Sequence, residues 1–393
     1  MNPAGHPDGP AIGGVCWLPS PRRGHPLRCP VDAGRRRSVA STPGPSAQAD
    51  PDWEGVRLHV VSGKGGTGKT TVAAALALAL AAEGGRTLLI EVEGRQGIAE
   101  LFGMAALPYE ERKVATVSPS RLGLPGTGQG EVYALAIDTE LALLEYLEMF
   151  YKLGRAGKAL QKVGFVDFAT TVAPGVRDVL LTGKACEAAR RKGPDGRRAY
   201  DAIVMDAPPT GRLTRFLNVN EEVAGLARFG PIHGQAQAVM RVLKSPETAV
   251  HFVTLLEEMP VQETVDGIAE LRAAQLPVGG VVVNMVRPPV LDAAAVAAVD
   301  GDHREEVAVA LGEAGLGGRS RKPETVRAAV EPLLAPLLEQ AREHAERVEL
   351  ERAQRADLQR AKLPTYELPL LGEGVDLGGL YRLAGELKRQ GAA

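Results

Sequence analysis

The segment GKGGTGKT, residues 63–70, has the spacing G-x-x-x-x-G-K-[ST]. It lies between an apolar run, VRLHVVS, and an Ala/Leu-rich run that starts at Lys69. That pattern is chemistry for phosphate. Gly63, Gly65, Gly66 and Gly68 carry no Cβ, so the backbone from Gly63 through Thr67 can turn its N–H groups inward around a phosphate chain. The loop feeds a helix N-terminus, whose partial positive charge favours an anion. Lys69 supplies a charge contact to the β- and γ-phosphates, and the Thr70 hydroxyl is placed to coordinate Mg2+. Thr71 is placed to reach an α-phosphate. Asp206 closes a second apolar run, YDAIVMDAP. A carboxylate at a strand end on such a scaffold is the expected partner of the same ion, which makes Thr70 and Asp206 the candidate metal pair. Lys64 is not required by the general motif and needs a reason of its own.

These residues must be held by a sheet. VRLHVVS (56–62) reads as a buried strand, followed by the Gly-rich turn and a helix over 69–83 that Gly84 and Gly85 stop. Further strands are expected at 86–93, 131–138, 200–208, 249–255, 278–286 and 365–371, most of them separated by helical segments. Apolar strands alternating with helices predict an α/β fold with a doubly wound, mostly parallel sheet covered on both faces. Residues 139–192 read as a helical insertion broken at Pro174 and Gly175. Residues 290–362 end in a long charged helix that would cover the sheet.

Composition narrows the class. The 393 residues are 45% hydrophobic and 24% charged, enough for a large core without staples. With 46 Lys and Arg against 48 Asp and Glu, no basic excess points to nucleic acid. The cysteines, Cys16, Cys29 and Cys186, form no CxxC pair, so a reducing cytoplasm is the default. The longest apolar run, Val72 to Ala82, is shorter than the roughly 20 residues a bilayer span needs. A membrane role would therefore be peripheral, through a partner. Residues 1–50 hold 9 of the 28 prolines, carry arginine without lysine and show no apolar period. They predict a disordered Pro/Arg-rich extension over 1–52, with the folded domain over 53–393.

The extra lysine gives the first resemblance. KGGTGKT resembles the deviant Walker A loop of the ArsA/MinD/ParA group of dimeric P-loop ATPases. That resemblance implies ATP and Mg2+ as cofactors, and a Lys64 that crosses a dimer interface to the partner's nucleotide. DAPPTGRLTRFL (206–217) resembles the switch II pattern D-x-A-P-T-G-H-x-L-R-L-L of ArsA and of the eukaryotic tail-anchored-protein targeting ATPase. Asp206, Pro209, Thr210, Gly211, Arg215 and Leu217 match, and Arg212 stands where that pattern has His. VVVN ending at Asn284 resembles the family's adenine-binding Asn, whose amide can read both donor and acceptor on a base edge. ELPLLGEGVDLGGL resembles its C-terminal loop, which implies Pro369 near the base. APGVRDVL (173–180) and EMPVQETVDGIAEL (258–271) are similar to two further family segments. The resemblance spans residues 56–389 and is nearest to single-domain, actinobacterial ArsA-like ATPases.

The departures are as informative. Where the family carries D-P-A-H after the second strand, this chain has EVEGRQG (91–97), so Glu93 falls at the water-positioning Asp and Gly94 at the Pro. Glu is one methylene longer, and a 1 Å misplacement can cost about 100-fold in rate, so slow hydrolysis is expected. Cys186 is the single cysteine outside the extension, and one thiol cannot chelate a metalloid as clustered thiols do. Residues 141–168 carry Leu, Met, Phe and Tyr at helical spacing, which fits either core packing or a client groove. The expectation is a dimeric, Mg2+-dependent ATP switch, as a homodimer or with an ArsA-like paralogue, coupled to a protein client. An ATPase energising an anion transporter is the alternative. A ParA- or MinD-like positioning role lacks a basic stripe to support it.

Overall fold

The computed structural model describes residues 52–151, 174–226, 231–316, 323–372 and 374–393. Eight strands form one sheet in the order β3-β4-β2-β5-β1-β6-β7-β8. They are β1 Leu58–Gly63, β2 Arg86–Glu91, β3 Arg112–Val117, β4 Gly130–Ala136, β5 Ala202–Asp206, β6 Thr248–Thr254, β7 Val278–Val286 and β8 Thr365–Pro369. Every neighbouring pair is parallel except β3–β4. β1 sits inside the sheet between β5 and β6, so its C-terminal end opens where chain connections leave to both sides. In open parallel sheets that crevice is where ligands bind.

β3 is the one strand that the hydrophobic pattern does not reveal. Only Val117 of its six residues is fully buried, and Arg112 and Lys113 are exposed. An antiparallel edge strand needs one half-buried face, so it lacks the apolar run that marks the central strands.

Helices cover both faces. One face packs α1 (Lys69–Ala81) and α11 (Leu377–Arg389) against Val61, Leu89, Val204, Val253 and Val282. Residues Val72 through Ala79 of α1 are all buried, and small Ala side chains let α11 and the sheet approach it closely. The other face carries α3 (Thr139–Tyr151), α4 (Pro174–Arg190), α5 (Thr210–Leu226), α6 (Pro231–Leu243) and α7 (Glu258–Ala273). Leu181, Phe216, Val239 and Ile268 from these helices pack on Val60, Ile90, Met205 and Phe252. α2 (Gly97–Leu101) follows β2; α8 (Ala293–Ala298) and α9 (Arg304–Glu313) precede the charged α10 (Pro323–Gln359). Pro174 opens α4, where its missing N–H costs nothing. α3 and α4 lie within the expected insertion, 139–192, and residues 152–173, which hold much of the client-groove question, lie outside the described residues. No helix among the described residues is long and apolar enough to cross a membrane.

The expected extension, residues 1–51, also lies outside the described residues. Asp52, on the extension side of the expected boundary, is fastened to the fold: its N–H donates to the Gly391 carbonyl and its carboxylate accepts from Tyr366 at 2.6 Å. Trp53 donates to the same Tyr366 oxygen and packs edge-on against His251.

His251 and His59 are stacked inside the sheet layer, both nearly inaccessible. The Gly280 N–H donates to His251 Nδ1 at 3.1 Å, so His251 carries its proton on Nε2 and donates it to His59 Nδ1 at 3.1 Å. Burial pushes His59 down to about 4, and His251 well below the ordinary range. A histidine neutral in the fold and titrating near 6.5 when unfolded stabilises above pH 6.5, and that stability is lost as pH falls toward 4. The loss of unfolding free energy between pH 7.5 and 4.5, measured by urea titration, should therefore be smaller in His59→Leu than in the unmodified chain by about 2 kcal/mol.

Candidate functional site

The loop after β1 is compact because its glycines permit close approaches. A Cβ on Gly63 would stand 2.1 Å from the Val253 carbonyl oxygen of β6. Gly68 adopts φ 84°, and a Cβ there would meet the Asn284 amide nitrogen at 2.4 Å. Between them Thr67 is buried and its hydroxyl donates to the Lys64 carbonyl at 2.9 Å. Gly65 and Gly66 form the exposed crest. Asn284, at the end of β7, donates its amide to the Thr67 carbonyl at 2.9 Å and so braces the loop from the side. Lys69, Thr70 and Thr71 occupy the first turn of α1, half-buried beneath the crest.

Asp206 reaches the loop from β5. Parallel pairing sets Val61 opposite Asp206 on one side and Glu91 opposite it on the other. The Thr70 hydroxyl donates to Asp206 Oδ2 at 2.6 Å. Asp206 Oδ1 is buried with no hydrogen-bond partner among the described residues, as is the hydroxyl of Thr210 at the start of α5. Burial pushes the Asp206 carboxyl up to about 6, against the pull of the Thr70 hydroxyl and of Lys69; the Glu91 and Glu93 charges push the same way as burial. A buried oxygen left without a donor beside a lysine and a hydroxyl is a site for a cation that arrives with its own anion. The donor set, one hydroxyl and one carboxylate with an unpartnered oxygen, fits Mg2+.

Glu93 and its surroundings form the turn after β2. Glu93 is 22% exposed at its side chain and lies 3.6 Å from the Arg95 guanidinium. The turn is held by a residue that motif reading did not single out. Glu91 is buried and accepts from the backbone N–H groups of Gln96 (2.5 Å) and Ile98 (3.2 Å). Gln96, at φ 58°, exchanges two hydrogen bonds with the backbone of Leu107. A carboxylate closing an otherwise apolar strand was the available signal for Glu91.

Lys64 turns away from the loop: its ammonium pairs with Glu263 of α7 at 3.0 Å, both side chains about one-third exposed. Arg212, in the position where the resembled pattern has His, lies 3.8 Å from Asp178 on the first turn of α4. Arg177 of that turn reaches the Val92 carbonyl. Pro369 ends β8 with Val286 as its register partner, and Leu370 rather than Pro369 lines the cavity next to Asn284. Cys186 lies in the core with its thiol pushed up to about 12 by burial, which leaves it inert. The structure thus brings residues 63–71, Asp206 and Asn284 into one site, with Glu93 on the adjoining turn and Pro369 at the periphery.

Residues 56–246 match the family described as anion-transporting ATPase, ArsA type. The chain is 47% identical over 359 residues to the ATPase BagA of Mycobacterium tuberculosis, which covers 90% of this chain and 99% of that protein. It is 25% identical over 278 residues to the ATPase GET3 of Rhodotorula glutinis, covering 62% and 74% of the two chains. It is 27% identical over 205 residues to the ATPase GET3 of Mycosarcoma maydis, covering 50% and 54%. With its phosphate loop, its strand-end Asp206 and a relative matched along nearly its whole length, the chain belongs to the ArsA-like ATPase family.

Proposed function

We propose that this chain binds and slowly hydrolyses ATP with Mg2+, and that a dimeric form of it couples the cycle to a protein client or partner. The observation that carries the reading is Asp206, a buried carboxylate bonded to Thr70 through one oxygen and unpartnered at the other. Thr70 and Asp206 would hold Mg2+, which when bound neutralises charge on the β- and γ-phosphate oxygens. The N–H groups of residues 65–70 cradle the phosphates, and Lys69 adds its charge at the β- and γ-oxygens. Glu93 orients the attacking water. Its placement on a turn, beside Arg95 and with a side chain one methylene longer than Asp, supports a slow step. Lys64 supplies the charge that the partner chain's phosphates need. Its cis pairing with Glu263, outside its own loop, supports a role other than the one Lys69 already fills. Arg177 reaches the turn after β2 and Asp178 reaches the start of α5, which gives α4 a way to respond to hydrolysis.

Three outcomes test this reading. Lys69→Ala should abolish nucleotide-induced thermal stabilisation, which in the unmodified chain should reach about 2.7 kcal/mol at a hundredfold excess over Kd. A normal ATP shift in that variant would remove the phosphate-loop assignment. Lys64→Ala should keep ATP binding but lose ATP-dependent association on size exclusion, with turnover lower by roughly 100-fold or more. An unchanged dimer and rate would refute the role in trans. Because Asp206 binds a cation as the carboxylate and titrates near 6, Mg2+–ATP affinity by calorimetry should fall about fourfold from pH 7.5 to 5.5. Asp206→Asn should show weak affinity without that slope.

A further inference from the structure

A cavity of about 200 Å3 opens above the C-terminal ends of β6, β7 and β8. Its wall begins at Asn284, which is bonded to the phosphate loop itself, and continues over Leu255, Met285 and Leu370. α10 closes it with Arg347 and Glu351. The volume is below the roughly 300–1,000 Å3 of cavities that enclose whole drug-sized ligands, and it suits a single heterocycle with apolar faces. If phosphates lie on the loop, as the function proposed above requires, this is the adjoining space on the β7–β8 side.

Asn284 cannot read a base with its full complement of groups here, because its amide already donates to the Thr67 carbonyl. The other polar groups facing the cavity are Glu257, Arg287, Arg347 and Glu351. Glu257 and Arg287 are exposed residues. Glu351 is the withdrawn one, with its side chain 14% exposed. It is also the fixed one. Arg347 donates to it at 2.8 Å, Arg355 lies at 3.7 Å, and Arg355 is itself tied to Glu367 of β8 at 2.7 Å. Arg347 is held in turn by His344 Nδ1.

We propose that Glu351 is a specificity-determining residue for the nucleobase: its carboxylate accepts a hydrogen bond from the exocyclic amino group of an adenine seated in this cavity. A carboxylate is an acceptor only. Adenine offers it N–H donors at the 6-position. Guanine and hypoxanthine place a carbonyl oxygen there, which sets acceptor against acceptor at a withdrawn carboxylate. Sites built to bond a particular donor reject analogues that lack it far more strongly than apolar pockets reject a change of size. The long charged helix thereby acquires a role in the nucleotide site beyond covering the sheet.

Calorimetric titration of the full chain with the magnesium salts of ATP, ITP and GTP tests this. The unmodified protein should bind ATP about tenfold or more tightly than ITP, which differs in carrying the 6-carbonyl. Glu351→Gln, whose amide can both accept and donate, should bring the ATP-to-ITP ratio toward one by weakening ATP and strengthening ITP. Glu351→Asp should weaken ATP without strengthening ITP. Equal binding of ATP and ITP by the unmodified chain overturns the inference, and so does an unaltered ratio in Glu351→Gln. The first of these readouts needs no variant, so it decides even if both substitutions unfold the chain. Failure of every nucleotide to bind would instead remove the phosphate-loop reading on which this one rests.

Discussion

The structure depends on a parallel register. β1 and β5 pair so that Val61 stands opposite Asp206, and the phosphate loop therefore starts where the carboxylate ends. From that register follow the Thr70–Asp206 hydrogen bond, the Ala207 N–H bonded to the Val61 carbonyl, and the Ser62 hydroxyl bonded to the Pro208 carbonyl at 2.6 Å. A slip of one residue would turn Asp206 to the other face of the sheet. The register is enforced from both sides, because Met205, Ile203 and Leu58 are buried among helices on one face while Val204 and Val61 are buried on the other. Core packing and the position of the Asp206 carboxylate are thus one constraint.

The site is built at the cost of local stability. Burial holds the Asp206 carboxyl at about 6, and its second oxygen has no donor. Gly63 and Gly68 are confined by neighbours that would clash with any side chain. Strain and unsatisfied groups of this kind persist where surrounding packing over-determines them. Here that packing is the all-round burial of α1 and the clamp of Asn284 on the loop.

What was legible in the sequence follows from how local each signal is. Residues 63–71 announce themselves because the motif, the strand before it and the helix after it are contiguous. Asp206 is legible as a polar residue ending an apolar run. The doubly wound sheet follows from seven apolar segments, whereas β3 escapes because one half-buried face leaves no run to see. Glu263 and Glu351 are different. Each is an unremarkable glutamate in its own segment and gains meaning only when helix docking brings it to Lys64 or Asn284. Such pairings join segments far apart in the chain, and no spacing rule reports them. The positions of Glu93 and Pro369 rest on resemblance, and the fold sets them at the rim of the site rather than at its centre.

The Lys64–Glu263 pair has a kinetic consequence. Both groups are about one-third exposed, and ion pairs in that setting are commonly worth about 0–1 kcal/mol, less as salt rises. Such a contact is worth less than about twice kT, so thermal motion opens and recloses it continually. Lys64 is therefore not locked: an anion brought in front of it competes only with a screened carboxylate. Glu263 gives the ammonium a nearby counter-charge in the intervals when the pair is closed.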